Sequence, residues 1–117
     1  MEAPHAYAPR IYFVHALLAG PLDAWPAHFE HAAALGFDHV LIGSLFRPGS
    51  AGHTQIVSDH SQLHPVLGTG EPAAAVLQRL AESAGQHGLT LLVDLVVDRA
   101  AADGALFHQH RDWFHPF

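Results

Sequence analysis

The sequence has 117 residues, of which 50% are apolar and 14% are charged, so it can form one globular domain or part of one and is not expected to be disordered. Eleven acidic residues against five basic ones give a formal net charge of −6. All the basic residues are arginines scattered along the chain. Phosphate binding requires clustered positive charge, so we expect no nucleic-acid partner.

The sequence also limits the compartment in which the protein works. It contains no cysteine, which excludes disulfides and thiolate chemistry and is compatible with a reducing, cytoplasmic location. The N-terminal residues 1–9 lack a basic start followed by an apolar run, so we expect no signal peptide. No apolar run approaches the ~20 residues that a membrane-spanning helix requires, and we expect no membrane partner.

Three short apolar segments are predicted to be β-strands, at 11–14, 39–42 and 90–97. Their residues are β-branched, aromatic or aliphatic and do not strictly alternate with polar ones. This pattern is typical of strands that are covered on both faces in a parallel sheet.

Two helices are predicted between these strands. The first begins with Asp23 as N-cap, has Pro26 in its first turn and ends before Gly36. The second opens near Pro72 and ends before Gly88. The apolar residues predicted to be buried are Leu22, Trp25, Phe29, Ala32 and Leu35 in the first helix and Val76, Leu77, Leu80 and Ala84 in the second. The order predicts an α/β fold with a parallel β-α-β-α-β sheet, as one unit over 1–117.

The segment 47–70 has neither a helical nor a strand period and contains four glycines. We expect it to be a long loop at the carboxyl end of the sheet, because it follows the second predicted strand. Structureless segments of this length are usually functional, and α/β folds place their sites at this end.

Two carboxylates lie in or next to the third predicted strand. Strand alternation would put Asp94 and Asp98 on one face. A carboxylate within an apolar run must be paired or hydrogen-bonded. Two interpretations stay open: a structural ion pair, to Arg99 or Arg47, and an acid that faces a ligand.

The segment 94–99 reads Asp-Leu-Val-Val-Asp-Arg, and further distinctive segments lie at 9–12, 18–21, 34–37, 58–65 and 110–114. In this order they resemble the α-amylase superfamily, glycoside hydrolase family thirteen, whose first signature is Asp-(Leu/Val)-Val-x-Asn-His. The resemblance runs from Pro9 to Phe114 and is strongest to the α-1,4-glucan maltosyltransferases that use maltose 1-phosphate. It implies that the chain is the N-terminal part of the catalytic barrel, a partial TIM-type barrel.

The resemblance implies α-glucan or malto-oligosaccharide as the ligand. We expect the polar substrate-binding residues to be His53, Gln55, Asp59, Asp94, Asp98 and Arg99. Three of them depart from the family pattern. Asp98 and Arg99 replace the Asn-His of the signature, whose histidine contacts the sugar in the cleavage subsite, and Gln55 replaces a tyrosine that stacks under the same sugar. The resemblance is therefore to the scaffold more than to an intact sugar subsite.

The family's catalytic Asp, Glu and Asp follow the fourth, fifth and seventh barrel strands, and this chain ends shortly after the third. Retaining glycoside transfer needs a nucleophile and a general acid about 5 Å apart. We therefore expect no catalytic residue, no cofactor and no activity in this chain alone.

Two open sheet edges predict self-association, or pairing with a missing part of the same enzyme. The alternative function is a stand-alone, non-catalytic binding or assembly module built on a fragment of that barrel.

Twelve histidines leave a third possibility, a metal-binding protein. His28 and His31 share a helix face, and His108, His110 and His115 lie near the C-terminus. No spacing among them repeats a known metal motif, so we expect no metal site.

Overall fold

A computed structural model describes residues 8–115 of the chain. The expected lack of a signal peptide concerns mainly residues 1–7, which lie outside the described residues. In chain order the elements are β1 (Ile11–His15), α1 (Trp25–Ala34), β2 (His39–Gly43), β3 (Phe46–Pro48), β4 (Val57–Leu63), α2 (Ala73–Gln86), β5 (Thr90–Val93) and α3 (Ala105–Gln109). Short 3-10 helices lie at Leu22–Ala24, Pro65–Leu67 and Arg111–Trp113.

The centre of the fold is a three-stranded parallel sheet in the order β1-β2-β5. α1 connects β1 to β2, and α2 lies on the connection from β2 to β5. The α/β class and the parallel β-α-β-α-β order predicted from the sequence are confirmed. β1 and β5 are the two edges of this sheet within the described residues, as the sequence also predicted.

One face of the sheet packs against the helices and forms the core. Val14, Val40 and Ile42 point to this side and are buried, and they join Trp25 and Phe29 of α1. The two aromatic rings are fully buried, which confirms the prediction that Trp25 and Phe29 are core residues. On α2 the predicted Val76, Leu80 and Ala84 are buried in the same cluster.

The opposite face of the sheet has no helix over it in the described part of the chain. The register aligns Phe13 with Leu41 and Leu92, one residue from each strand, and places Ile11 on the same side. We call these four residues the open face. Phe13 is 56% exposed and Ile11 is 43% exposed. The Phe13 ring lies over Gly43, because a Cβ added there would be 2.7 Å from the ring.

The helix ends are partly as predicted. Gly36 and Gly88 follow α1 and α2 with φ of +92° and +76°, which confirms the left-handed residues that close these helices. Asp23 is not the N-cap of α1, because it lies inside the 3-10 turn that precedes the helix. The predicted burial of Leu35 is also wrong, since it is the exposed C-cap residue.

The prediction that 47–70 has no regular structure is wrong. β3 and β4 form an irregular antiparallel hairpin that occupies most of this segment. The sequence of β4 did not indicate a strand, because only its end residues Val57 and Leu63 are buried and polar residues fill the middle. The segment does follow β2 directly.

The third strand of the parallel sheet is shorter than predicted. β5 ends at Val93, and the last backbone bond to β2 runs from the Asp94 N–H to the Ile42 carbonyl at 3.1 Å. Beyond it the backbone is irregular as far as α3. The prediction that Asp94 and Asp98 share one strand face is therefore wrong. Within residues 8–115, no helix is both long and apolar enough to cross a membrane.

Candidate functional site

The carboxyl ends of the three parallel strands lie at one edge of the sheet, and two segments meet there. The hairpin follows β2, and the segment 94–104 follows β5. The Ala101 N–H donates to the Val57 carbonyl at 3.0 Å, and the Ser50 N–H donates to the Asp103 carboxylate at 2.8 Å. This contact brings the two stretches that hold the predicted site residues against each other.

Gln55 and Asp94 line one small cleft at this edge. Its other walls come from the β2–β3 connection and from the hairpin: Ser44, Leu45, Phe46, Thr54, Val57 and Val96. Gln55 and Asp94 are both exposed at the mouth. The cleft has a volume of about 10 Å³, too small to admit a sugar ring. A neutral polyhydroxy ligand would therefore contact the amide and the carboxylate from outside the mouth, where they offer both donors and acceptors.

Asp98 and Arg99 line a second, larger cleft of about 520 Å³. The Arg99 Nη2 lies 2.9 Å from Asp98 Oδ2, and its Nε lies 3.3 Å from Oδ1. This bond holds the pKa of Asp98 below its usual range. The ion pair expected for these carboxylates therefore forms between Asp98 and Arg99, and it lies at the surface. Asp94 is not the buried strand carboxylate that the apolar run suggested, because it is exposed.

His53 and Asp59 lie away from both of these clefts. His53 lines a third cleft of about 200 Å³ between residues 49–56 and 101–103, and its Nδ1 accepts the Gln55 N–H at 3.2 Å. Asp59, on β4, accepts hydrogen bonds from the Ser61 hydroxyl at 2.6 Å and the Ser61 N–H at 2.8 Å. These bonds lower the pKa of the Asp59 carboxyl. The structure thus places Gln55 and Asp94 in one cleft and Asp98 and Arg99 in another. His53 lies in a third cleft, bonded to the Gln55 N–H, and Asp59 lines none of the three.

Sequence reasoning missed a His–Ser contact at the ends of β1 and β2. The Nε2 of His15 lies 3.4 Å from the Ser44 hydroxyl, and Ser44 has a φ of +64°, which is unusual for a residue other than glycine. The His15 Nδ1 accepts the Leu17 N–H at 3.2 Å, so the proton of the neutral ring is on Nε2. The histidine therefore donates to Ser44 and cannot take its proton. The sequence could have indicated this contact, because His15 and Ser44 both follow predicted strands and parallel strands end at the same edge of a sheet.

No group of three or more His, Asp or Glu side chains converges for a metal ion within residues 8–115. On α1, His28 instead bonds the Ala19 carbonyl through Nε2 at 2.8 Å. The other histidine-rich region includes His110, whose ring stacks on Trp113. The contacts of these histidines are therefore structural ones.

Comparison with known proteins gives one curated relative at high similarity. An α-1,4-glucan:maltose-1-phosphate maltosyltransferase from Burkholderia pseudomallei (strain K96243) is 44% identical over 114 residues, which is 97% of this chain. The chain is similar to one segment of that enzyme. It spans only 10% of the length of this relative. No protein-family model matches the sequence.

Solved structures show the same fold. An α-amylase from Lactobacillus plantarum superposes with a TM-score of 0.78 at 22% identity, covering 93% of this chain and 27% of that one. The maltogenic α-amylase AmyB from Thermotoga neapolitana gives a TM-score of 0.77 at 20% identity, covering 93% and 28%. The α-glucosyl transfer enzyme XgtA gives 0.71 at 24% identity, covering 88% and 20%. The maltosyltransferase confirms the predicted resemblance to the α-1,4-glucan maltosyltransferases, and the solved structures show that the chain shares its fold with α-amylases.

Proposed function

We propose that this chain is the opening segment of the catalytic barrel of an α-amylase-type hydrolase or glycosyltransferase that acts on α-1,4-glucans. The observation that carries the proposal is the 44% identity to a maltosyltransferase over 97% of the chain. The parallel β1-β2-β5 sheet, with polar residues collected at its carboxyl edge, supports it. Three strands with two crossover helices would be the first part of a TIM-type barrel.

In this proposal the segment supplies scaffold and substrate contacts but no catalytic group. Gln55 and Asp94, which share a cleft, would be the central contacts. The remaining members of the polar lining would be His53, Asp59, Asp98 and Arg99. The nucleophile and the general acid would lie on later strands, so the chain alone would be inactive and would need no cofactor. The protein would work in the cytoplasm, and the absence of cysteine is compatible with that.

The first test is the mass of the native gene product in its source cells, by immunoblot and intact mass spectrometry. We expect a product several times larger than 12.6 kDa. That product should release phosphate from maltose 1-phosphate in the presence of maltohexaose, or shorten maltohexaose alone. The 117-residue chain should do neither. A long product that acts on no α-glucan would contradict the proposal, and so would activity of the short chain.

The binding part of the proposal is tested by titration calorimetry of the 117-residue chain with maltohexaose. Gln55→Ala and Asp94→Ala should each weaken binding about tenfold, because each removes hydrogen bonds worth about 1–2 kcal/mol. Glu82→Gln, at an exposed position of α2, is the matched control and should bind as the parent does. If no heat is measured up to millimolar maltohexaose, the proposal that this chain binds α-glucan is wrong.

A second candidate function is a stand-alone assembly module. The open face favours it, because Phe13 and Ile11 are exposed on a sheet side that has no helix over it in residues 8–115. A native product of 12.6 kDa would select this function over the first. Co-purification of that product with a barrel enzyme would then identify what the open face contacts.

A further inference from the structure

The cleft that holds Asp98 and Arg99 is lined on its other side by aromatic rings. We call it the aromatic cleft; the rings are those of Phe107, Trp113 and Phe114, with His115 at the margin. Its volume of about 520 Å³ is in the range of small-molecule sites. Trp113 is 63% exposed, and together with the other two rings of the cleft it forms a contiguous aromatic surface that a ligand can reach.

Neighbouring side chains hold these aromatic rings in place. The imidazole of His110 stacks on the Trp113 indole with ring centroids 3.8 Å apart and planes 12° from parallel. The His110 ring covers one face of the indole, which leaves the other face free. Phe107 packs edge-on against Phe114 at 5.6 Å, and the Arg111 guanidinium lies 5.5 Å from the Phe107 ring centroid. The platform is therefore preorganised, which lowers the entropy cost of binding a ligand.

We propose that the aromatic cleft is a carbohydrate subsite in which the free face of Trp113 stacks on a glucose ring of an α-1,4-glucan, while Asp98 and Arg99 hydrogen-bond its hydroxyl groups. A pyranose ring has an apolar face of C–H groups and a rim of hydroxyls. The cleft matches both, with aromatic surface on one side and a carboxylate–guanidinium pair on the other. The inference rests on the proposed function, because the choice of glucan comes from it.

The charges of the cleft favour a neutral ligand. Arg99 is the basic residue that lines it, and its guanidinium is already bonded to Asp98 at two nitrogen atoms. A phosphate or carboxylate ligand that accepted from the remaining N–H groups of Arg99 would lie next to the Asp98 carboxylate, which repels a second negative charge. A hydroxyl group can accept from the guanidinium and donate to the carboxylate while the pair stays intact.

The chain has two tryptophans, and their environments allow the site to be observed directly. Trp25 is fully buried and Trp113 is exposed, so iodide quenches the fluorescence of Trp113 selectively. Adding maltohexaose should reduce this quenching and shift the emission to shorter wavelength, whereas mannitol at the same concentration should do neither. Quenching that is unchanged at saturating maltohexaose would overturn the inference.

Variants in the same calorimetric titration separate this site from the Gln55–Asp94 cleft. Trp113→Ala should weaken maltohexaose binding about tenfold or more, and Trp113→Phe should retain most of the affinity because it keeps a ring in place. Leu18→Ala, at an exposed apolar residue elsewhere, should bind as the parent does. In Trp113→Ala the remaining Trp25 emission reports whether the core is intact.

The outcomes distinguish the two proposals. If Trp113→Ala binds normally while Gln55→Ala and Asp94→Ala bind weakly, the aromatic subsite is wrong and the proposed function stands. If Trp113→Ala alone weakens binding, while Trp113→Phe, Gln55→Ala and Asp94→Ala bind as the parent does, the aromatic subsite is supported and the proposed lining by Gln55 and Asp94 is wrong. If the parent chain produces neither heat nor protection from iodide, the subsite is wrong together with the binding part of the proposed function.

Discussion

Gly104 is a residue at which the segment after β5 packs closely on the backbone of the hairpin. A Cβ at this position would lie 2.7 Å from the Ser58 carbonyl oxygen and 2.9 Å from the Ser58 Cα, and both atoms are backbone. Because backbone cannot turn away as a side chain can, Gly104→Ala should lower the free energy of unfolding by about 1–3 kcal/mol. Urea denaturation followed by circular dichroism measures this.

The matched control for this substitution is Gly85→Ala. Gly85 lies in α2 and has nothing within 4 Å of its missing Cβ. Alanine is the better helix former, so this variant should be as stable as the parent or more stable by up to about 1 kcal/mol. If the two variants were equally stable, the contact between Gly104 and Ser58 would not be tight, and the arrangement of clefts around it would have to be revised.

At the scale of elements, Asp38 joins the starts of β1 and β2. Its carboxylate accepts the Arg10 N–H at 2.8 Å and lies 2.6 Å from the His39 Nδ1. The hydrogen bond from His39, and next the one from the Arg10 backbone, hold the pKa of Asp38 below its ordinary value of 3.8. A carboxyl with a lowered pKa in the folded state stabilises the fold above its unfolded pKa and loses this contribution as the pH falls through the folded pKa.

Asp38→Asn should therefore flatten the acid limb of the stability curve. The parent's urea midpoint should fall more steeply than that of the variant as the pH drops from about 5 to 2, because the variant has no carboxyl to protonate there. Asp112→Asn, at an exposed acid in the 3-10 helix Arg111–Trp113, serves as the control and should follow the parent. Parallel curves for the parent and Asp38→Asn would show that Asp38 does not couple the two strands.

Burial periodicity decides which elements can be predicted from this sequence. The two predicted helices could be recognised because one side of each packs on the core and its apolar residues recur at three- and four-residue steps. The strands at 11–14 and 39–42 could be recognised as short apolar runs, with residues on the core side and on the open face. β4 could not be predicted from the sequence because it has buried residues only at its two ends. The end of β5 at Val93 is also invisible, because the apolar residues Leu95 and Val97 continue the pattern while lying exposed outside the sheet.

The same reasoning explains the candidate site. Its position at the carboxyl edge follows from strand order and could be predicted, since parallel strands end together. The grouping into clefts could not be predicted. Gln55 and Asp94 line the same cleft because the hairpin packs against the segment after β5, and packing between distant segments leaves no local sequence pattern. The sequence indicates Trp113 only as part of a segment that resembles the family. Its exposure depends on how that segment folds and could not be predicted.

At the scale of the whole molecule, the two sides of the parallel sheet differ in what covers them. One side carries the core, and the other presents the open face, with Phe13, Leu41 and Leu92 in one row across the three strands. β1 and β5 also have unpaired outer edges within residues 8–115. In a complete barrel of the proposed kind, further strands would lie against both features. In a free chain, the open face and the two unpaired edges would contact either water or a second copy of the chain.

The 117-residue chain should therefore self-associate as its concentration rises, with a driving force that depends on the open face. Sedimentation equilibrium or light scattering should show an apparent mass above 12.6 kDa that grows with concentration. Phe13→Ser should shift this association to concentrations at least tenfold higher, because it removes the largest exposed ring of the row. Val66→Ser, at an exposed apolar residue in the 3-10 helix Pro65–Leu67, should associate as the parent does. If the parent and the variant were both folded monomers at every concentration, the open face would be stable in contact with water. The exposed open face would then be no argument that later strands of a longer chain pack against it.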